Sequence, residues 1–227
     1  MNEQVPMTLT AAIFDMDGLL LDTEPLWSSS MLKVSQAFGI NIEPHHFKHT
    51  RGLRIFEVTK FWAEHFPWPA SLDSTIVADA ILDDIIALAK EKSRLMPGVQ
   101  DCLRFLRQKK VKIGLATSSP MRMVQALIPY FGLADDFDVL TTSDNAVWGK
   151  PHPEVFLQCA QSLSVSPWGC VVLEDSVNGM VAAKAACMKV VVVPEKEQSG
   201  DARFGLADVR LESLEEFDET IWTLLSE

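Results

Sequence analysis

Short apolar runs alternate with amphipathic stretches from Met96 to Val193, and this alternation narrows the possible folds more than any other feature of the chain. Residues 111–116, 139–141, 171–173 and 190–193 have the length and apolar content of buried strands. Between them, residues 99–108, 121–130, 154–162 and 177–186 read as helices. Strand-helix-strand units join by right-handed crossovers into a parallel sheet with helices on its faces, so the expected class is α/β with a Rossmann-like core. Residues 11–14, an Ala-Ala-Ile-Phe run, supply one strand more. Residues 24–94 break the pattern. Leu26, Met31, Val34 and Phe38 recur there at helical spacing, as do Ile76, Ala80, Ile81, Ile85 and Leu88, which predicts a helical insert. Pro97-Gly98 marks the return to the sheet. The expected division is a core of residues 1–22 and 95–227 with an insert of 23–94, closed by a helix over 214–225.

The polar residues behind each run carry the chemistry. Asp15 and Asp17 stand two apart after the first run and before Gly18. Ligands of open α/β sheets bind at the carboxyl edge, and two acids desolvated there need a cation, a shared proton or both. Residues 111–116 lead into Thr117-Ser118-Ser119-Pro120, whose hydroxyls and backbone N–H groups can hold phosphate oxygens. Lys150-Pro151 follows the third run and Glu174-Asp175 the fourth. Taken singly, these read as a solvated loop, a helix cap, a surface lysine and a helix-start acid pair. Strand ends of one parallel sheet share an edge, however, so the four groups can converge.

Carboxylates outnumber the lysine at that edge and would repel a phosphate dianion. A divalent cation resolves this, and a ligand set made only of oxygen, with no histidine or cysteine nearby, favours a hard ion such as Mg²⁺. An aspartate can then attack phosphorus while a second acid, its pKa separated from its neighbour's, protonates the leaving oxygen. The net charge of −11 opposes binding to a nucleic-acid backbone but permits a small phosphorylated substrate where charge is arranged locally. With 48% hydrophobic residues, the 227-residue chain buries one large core and a smaller second one. Cys102, Cys159, Cys170 and Cys187 form no close pair, as expected of free thiols in a reducing compartment. Residues 1–7 lack the basic and apolar regions of a secretory signal, and no apolar run is long enough for a bilayer. The expectation is a cytoplasmic protein without membrane contact, and a monomer, because no apolar stripe remains after the core is assigned.

Asp15-Met16-Asp17-Gly18, Thr117-Ser118, Lys150-Pro151 and Glu174-Asp175-Ser176 with Gly179, in that order, resemble the four motifs of the haloacid dehalogenase superfamily. The branch is the one holding β-phosphoglucomutases and small sugar-phosphate phosphatases, and the resemblance covers nearly the whole chain. It implies Asp15 as nucleophile, Asp17 as general acid and then base, and Thr117, Ser118, Ser119 and Lys150 around the phosphate. It implies a metal held by the Asp15 carboxylate, the Asp17 backbone carbonyl and Asp175, with Glu174 assisting from behind. The ion would be Mg²⁺, with Mn²⁺ or Co²⁺ as replacements. Residues 23–94 would be a helical cap whose closure excludes water from the phosphoenzyme.

Asp22-Thr23-Glu24-Pro25-Leu26-Trp27 and Arg51-Gly52-Leu53-Arg54-Ile55 resemble the hinge and specificity loop of the hexitol and 2-deoxyglucose-6-phosphate phosphatases. This puts Glu24 and Arg54 at the substrate, although arginines 51 and 54 read equally well as a solvated loop. Trp27 stands where β-phosphoglucomutases have a histidine, and Ile55 where they have an arginine for the distal phosphate. Both losses favour hydrolysis over a phosphomutase, and Asp17 argues against dehalogenation. A non-catalytic phosphometabolite binder is the alternative from another class. His45, His46 and His49 suggest zinc only if their segment is helical, and no third ligand is in view. Trp62 and Trp68 are expected to pack in a core, and Glu212, Glu215, Glu216 and Asp218 to form a solvated face.

Overall fold

The computed structural model describes residues 8–50 and 53–226, without the side chains of Lys48 and His49. The 1–7 stretch read above for a leader lies outside the described residues, as do Arg51 and Gly52 of the loop signature. Six parallel strands, β1 (Ala11–Phe14), β2 (Lys112–Thr117), β3 (Val139–Thr142), β4 (Cys170–Glu174), β5 (Lys189–Val192) and β6 (Val209–Arg210), form one sheet in the order β3-β2-β1-β4-β5-β6. The described helices are α1 (Glu24–Ala37), α2 (Ile55–His65), α3 (Ser74–Lys92), α4 (Val99–Gln108), α5 (Met121–Leu127), α6 (Glu154–Ser162), α7 (Val177–Ala185) and α8 (Glu219–Ser226).

The strands alternate their side chains between two apolar layers. Ala12 and Phe14 of β1 join one layer and Ala11 and Ile13 the other; Val171 and Leu173 of β4 divide from Cys170 and Val172 in the same way. All eight are buried, since helices cover both faces, and this is why the runs read as continuously apolar. Helices α4, α5 and α8 cover the Phe14 layer, and α6 and α7 the Ile13 layer. Strand order reverses at β1, which lies between β2 and β4, so the carboxyl ends of these three strands open on one crevice. Phe14 pairs with Leu115 and with Leu173, which brings Asp15 level with Ala116 and Glu174.

Helices α1, α2 and α3 gather a third apolar cluster around Trp62, Val77 and Ile81. The chain leaves and rejoins the core side by side: Leu21 bridges to Leu95, and the Asp22 N–H donates to the Arg94 carbonyl at 3.0 Å. The second half of α3 is anchored below, with Leu82, Ile85 and Ala89 in the Phe14 layer and Arg122 of α5 paired with Asp79 and Asp83.

Three local expectations change. The helix expected through residue 130 ends at Leu127, because Pro129 has no N–H to continue it. The closing helix is split into a 3₁₀ turn, Leu214–Glu216, and α8, because the Asp218 carboxylate accepts the N–H groups of Thr220 and Ile221 and starts a new helix. The two-residue β6 is too short to leave a sequence pattern. Cys102, Cys159 and Cys170 are buried and Cys187 is exposed, all as free thiols. No described helix is long and apolar enough to cross a membrane.

Candidate active site

At the carboxyl ends of β1, β2 and β4 a cavity of about 710 Å³ lies between the sheet and the helical insert. Asp15, Asp17, Thr117, Ser118, Ser119, Lys150, Glu174 and Asp175 line its floor, and Trp27, Met31, Phe47, Leu53, Ile55 and Val58 its opposite wall. Another cavity, of about 730 Å³, opens at the amino edge of the sheet among Lys109, Lys110, Lys112 and Trp168, far from these carboxylates in the fold.

Lys150 holds the floor together. Its Nζ donates to Asp15 Oδ1 at 2.6 Å, to Glu174 Oε1 at 2.7 Å and to the Ala116 carbonyl at 3.1 Å, and it lies 4.6 Å from the centre of the Phe156 ring. Burial works against its charge, but the two carboxylates outweigh burial and raise its pKa. Glu174 spends its other oxygen on the start of α7, accepting from the N–H groups of Asp175 and Ser176 at 3.0 and 2.8 Å and from the Ser176 hydroxyl at 2.9 Å. A Cβ on Gly179 would overlap this carboxylate, so only glycine lets the helix start approach it.

Asp15, Glu174 and Asp175 are buried, and one carboxylate oxygen from each lies within 4.8 Å of the others. Burial pushes the Asp15 carboxyl up to about 8; Lys150 pulls it back, and Glu174 and Asp17 push it further up. Burial raises Asp175 well above the carboxylate range, with Glu174, Asp15 and Glu24 adding to the rise. One lysine leaves this cluster short of positive charge. Its buried all-oxygen donor set, with ligand atoms close enough to share one ion, fits a hard divalent cation. Gly18, with φ of +76°, holds the turn after Asp17, and a Cβ there would collide with Asp175 Oδ2.

Asp17 is held by three donors. The Thr23 hydroxyl at 2.6 Å and the Trp27 indole N–H at 3.0 Å reach its Oδ1, and the Ser119 hydroxyl at 2.6 Å reaches Oδ2. The Ser119 hydroxyl, expected at the phosphate, is thus donated to Asp17 in this arrangement. The buried Thr117 Oγ accepts the Ser119 N–H at 3.1 Å and curls the loop back on itself.

Arg54, expected at the substrate, is engaged elsewhere in this arrangement. Arg54 is absent from the cavity wall, and its guanidinium is bonded to backbone carbonyls of Ser143, Ala146 and Val147 and to Glu57. Glu24 does line the cavity, whereas Arg51 lies outside the described residues. His45 pairs with Glu43 at 3.3 Å and His46 Nδ1 accepts the Glu43 N–H at 3.0 Å, so the imidazoles brace a 3₁₀ turn, Pro44–His49. Among the described residues no histidine belongs to a metal-capable cluster. Trp62 is buried in the insert, and Trp68 packs beside it with its indole N–H on the Leu72 carbonyl at 2.8 Å. Sequence reading missed the bond from Trp27 to Asp17, and also Asn178, Gln198 and Arg203 on the cavity wall. Spacing carries no signal for any of these contacts.

The sequence model of the haloacid dehalogenase-like hydrolases matches residues 9–186. Hexitol phosphatase B of Escherichia coli is 42% identical over 212 residues, covering 93% of this chain and 95% of that protein. The phosphorylated carbohydrates phosphatase of Thermotoga maritima is 34% identical over 185 residues, 78% of this chain and 82% of that one. Among solved structures, CbbY from Rhodobacter sphaeroides in complex with phosphate superposes with a TM-score of 0.81 at 28% identity, over 92% of this chain and 96% of that one.

Proposed function

The chain belongs to the haloacid dehalogenase-like hydrolases, and from that premise we propose that it is a Mg²⁺-dependent phosphatase that cleaves small sugar or sugar-alcohol phosphates through an aspartyl-phosphate on Asp15. The observation that carries this reading is Lys150, buried with its ammonium between Asp15 and Glu174 where three strands end. A cation fixed there can draw a phosphate against the Asp15 carboxylate and offset charge on the transferring group.

In the proposed reaction Asp15 Oδ attacks phosphorus and the bond to the leaving oxygen breaks. Asp17, two residues on, gives its proton to that oxygen. The alcohol departs, a water enters, and Asp17 takes a proton from it as it attacks the phosphoenzyme. The Asp15–phosphorus bond then breaks and phosphate leaves. Thr23, Trp27 and Ser119 keep the Asp17 carboxylate aimed during both proton transfers. Thr117 and Ser118 are assigned to the phosphate oxygens. Asp15 and Asp175, with the Asp17 backbone carbonyl, would hold the Mg²⁺, which when bound supplies positive charge for the phosphate; Glu174 serves by fixing Lys150 and the start of α7. Residues 23–94 act as a cap that excludes water from the covalent stage.

The sugar assignment draws on the hexitol and carbohydrate phosphatase relatives and on the cavity wall. The described residues of the insert that line the cavity are mostly apolar, with Glu24 and Ser28 among them, which suits a small hydroxylated carbon chain carrying one phosphate. The test is release of inorganic phosphate from hexose, deoxyhexose, hexitol, pentose and glycerol phosphates, with Mg²⁺ and with chelator. Release that requires Mg²⁺, led by hexitol phosphates or 2-deoxyglucose 6-phosphate, is expected. No release from any member overturns the reading, and isomerised glucose phosphate in its place would identify a mutase.

A further inference from the structure

Arg54 lies at the amino end of α2, yet its guanidinium is spent on the core. It donates to three carbonyls of one turn: Ser143 at 3.1 Å, Ala146 at 2.8 Å and Val147 at 3.2 Å. It also pairs with Glu57, which accepts the backbone N–H of Arg54 at 3.1 Å and so fixes the arginine to its own helix. The gripped turn is the approach to Lys150. It is tied to the phosphate side of the floor at two more points, since the Ser143 hydroxyl donates to the Ser118 carbonyl at 3.0 Å and Asp144 accepts the N–H of Met121 at 2.7 Å. Gly149, next to Lys150, faces the same ion pair, where an added Cβ would stand in ordinary contact, 3.4 Å from Glu57 Oε2 and 3.5 Å from Arg54 Cγ and Nε.

We propose that Arg54 is a positioning residue for the phosphatase reaction: by drawing the carbonyls of residues 143, 146 and 147 onto the insert, it sets the Lys150 approach and the Ser118 loop as the insert seats over the cavity. This rests on the function proposed above. Placement of the phosphate-side groups and exclusion of water then occur in one movement. Arginine suits the task because its rigid fork of five donors serves converging carbonyls and keeps its charge at any working pH. The side chain retains 21% of its exposure, so the guanidinium stays in reach of water while it grips the turn. A turn gripped in this way need not contact substrate, which explains why Arg54 is missing from the cavity wall.

Arg54→Gln and Arg54→Lys in the full chain test the inference by two readouts. Backbone hydrogen exchange over residues 144–148 should quicken in Arg54→Gln in a chain that still unfolds cooperatively, with no more than about 4–8 °C lost in melting temperature, while kcat falls about ten- to a hundredfold and KM moves little. Arg54→Lys should recover part of both. Gly149→Val, whose γ-methyl groups reach beyond that ordinary Cβ contact into the Arg54–Glu57 pair, should give the same pair of changes, and the double variant with Arg54→Gln should be no worse than either alone. Unchanged exchange together with unchanged kcat would overturn the proposal. So would lost activity with unchanged exchange and a raised KM, which would put Arg54 on the substrate. A wild-type chain that releases no phosphate would end the functional reading, whereas the exchange measurement reports on the Arg54 grip itself.

Discussion

Replacing Asp15 with Asn should abolish turnover and at the same time stabilise the cation-free chain. Burial raises the Asp15 carboxyl from 3.8 to about 8, against the pull of Lys150 and with a further push from Glu174 and Asp17. The unfolded chain releases the same proton near the ordinary carboxylate value. Between the two values the folded state holds a proton that the unfolded state has lost, so stability falls as pH rises through this window and levels off above it. The cost approaches about 6 kcal/mol above pH 8 and is about 4 kcal/mol at pH 7. Asparagine carries no such cost, but its amide presents Lys150 with one fixed acceptor oxygen in place of a carboxyl that can ionise beside the ammonium, which returns part of the gain. We expect a net gain of about 2 kcal/mol at pH 7, or roughly 4–8 °C in melting temperature for a chain of this size. The assay is thermal unfolding of both proteins in chelator from pH 5 to 9, repeated with Mg²⁺. The gap should widen up to about pH 8 and narrow with Mg²⁺, which offsets the wild-type charge. A gap that ignores pH, or a wild-type chain that is the more stable throughout, would mean that the carboxyl ionises in the folded state at no cost.

Gly18→Ala forces a side chain into a left-handed turn, at roughly 1–2 kcal/mol, and drives its Cβ against the Asp175 carboxylate. The Mg²⁺ concentration for half-maximal activity should rise about tenfold or more, and an unchanged Mg²⁺ titration would contradict the assignment of Asp175. Trp27→Phe keeps an aromatic ring on the cavity wall but removes the N–H held by Asp17. Its kcat should fall about tenfold with stability altered by no more than about 1 kcal/mol, as steady-state rates and urea melts would report; equal kcat would mean that Thr23 and Ser119 suffice to hold the carboxylate.

Much of the site was legible because its residues follow strands at a sheet edge. Asp15, Thr117 and Asp175 are adjacent to, or end, apolar runs whose burial on both faces the sequence displays. Once those runs pair in parallel, their carboxyl ends converge by geometry. Lys150 was legible only through its motif, since the loop that delivers it comes after a strand whose own pattern is weak. The segment of His45, His46 and His49 forms a 3₁₀ turn, so it lacks the α-helical spacing on which the zinc reading depended, and the imidazoles of His45 and His46 turn to Glu43.

Periodicity in the sequence was enough for the α/β class and for setting carboxylates, hydroxyls and a lysine behind the apolar runs, because periodicity and strand-end position are properties of one chain segment at a time. Tertiary structure alone decided how the long side chains are used. Trp27 and Asp17 meet across the hinge, Glu174 clamps Lys150 from the neighbouring strand, and Arg54 reaches past the cavity to carbonyls about ninety residues away in sequence. Such bonds leave no trace in spacing, since a donor and a distant acceptor become partners only when packing brings their elements together.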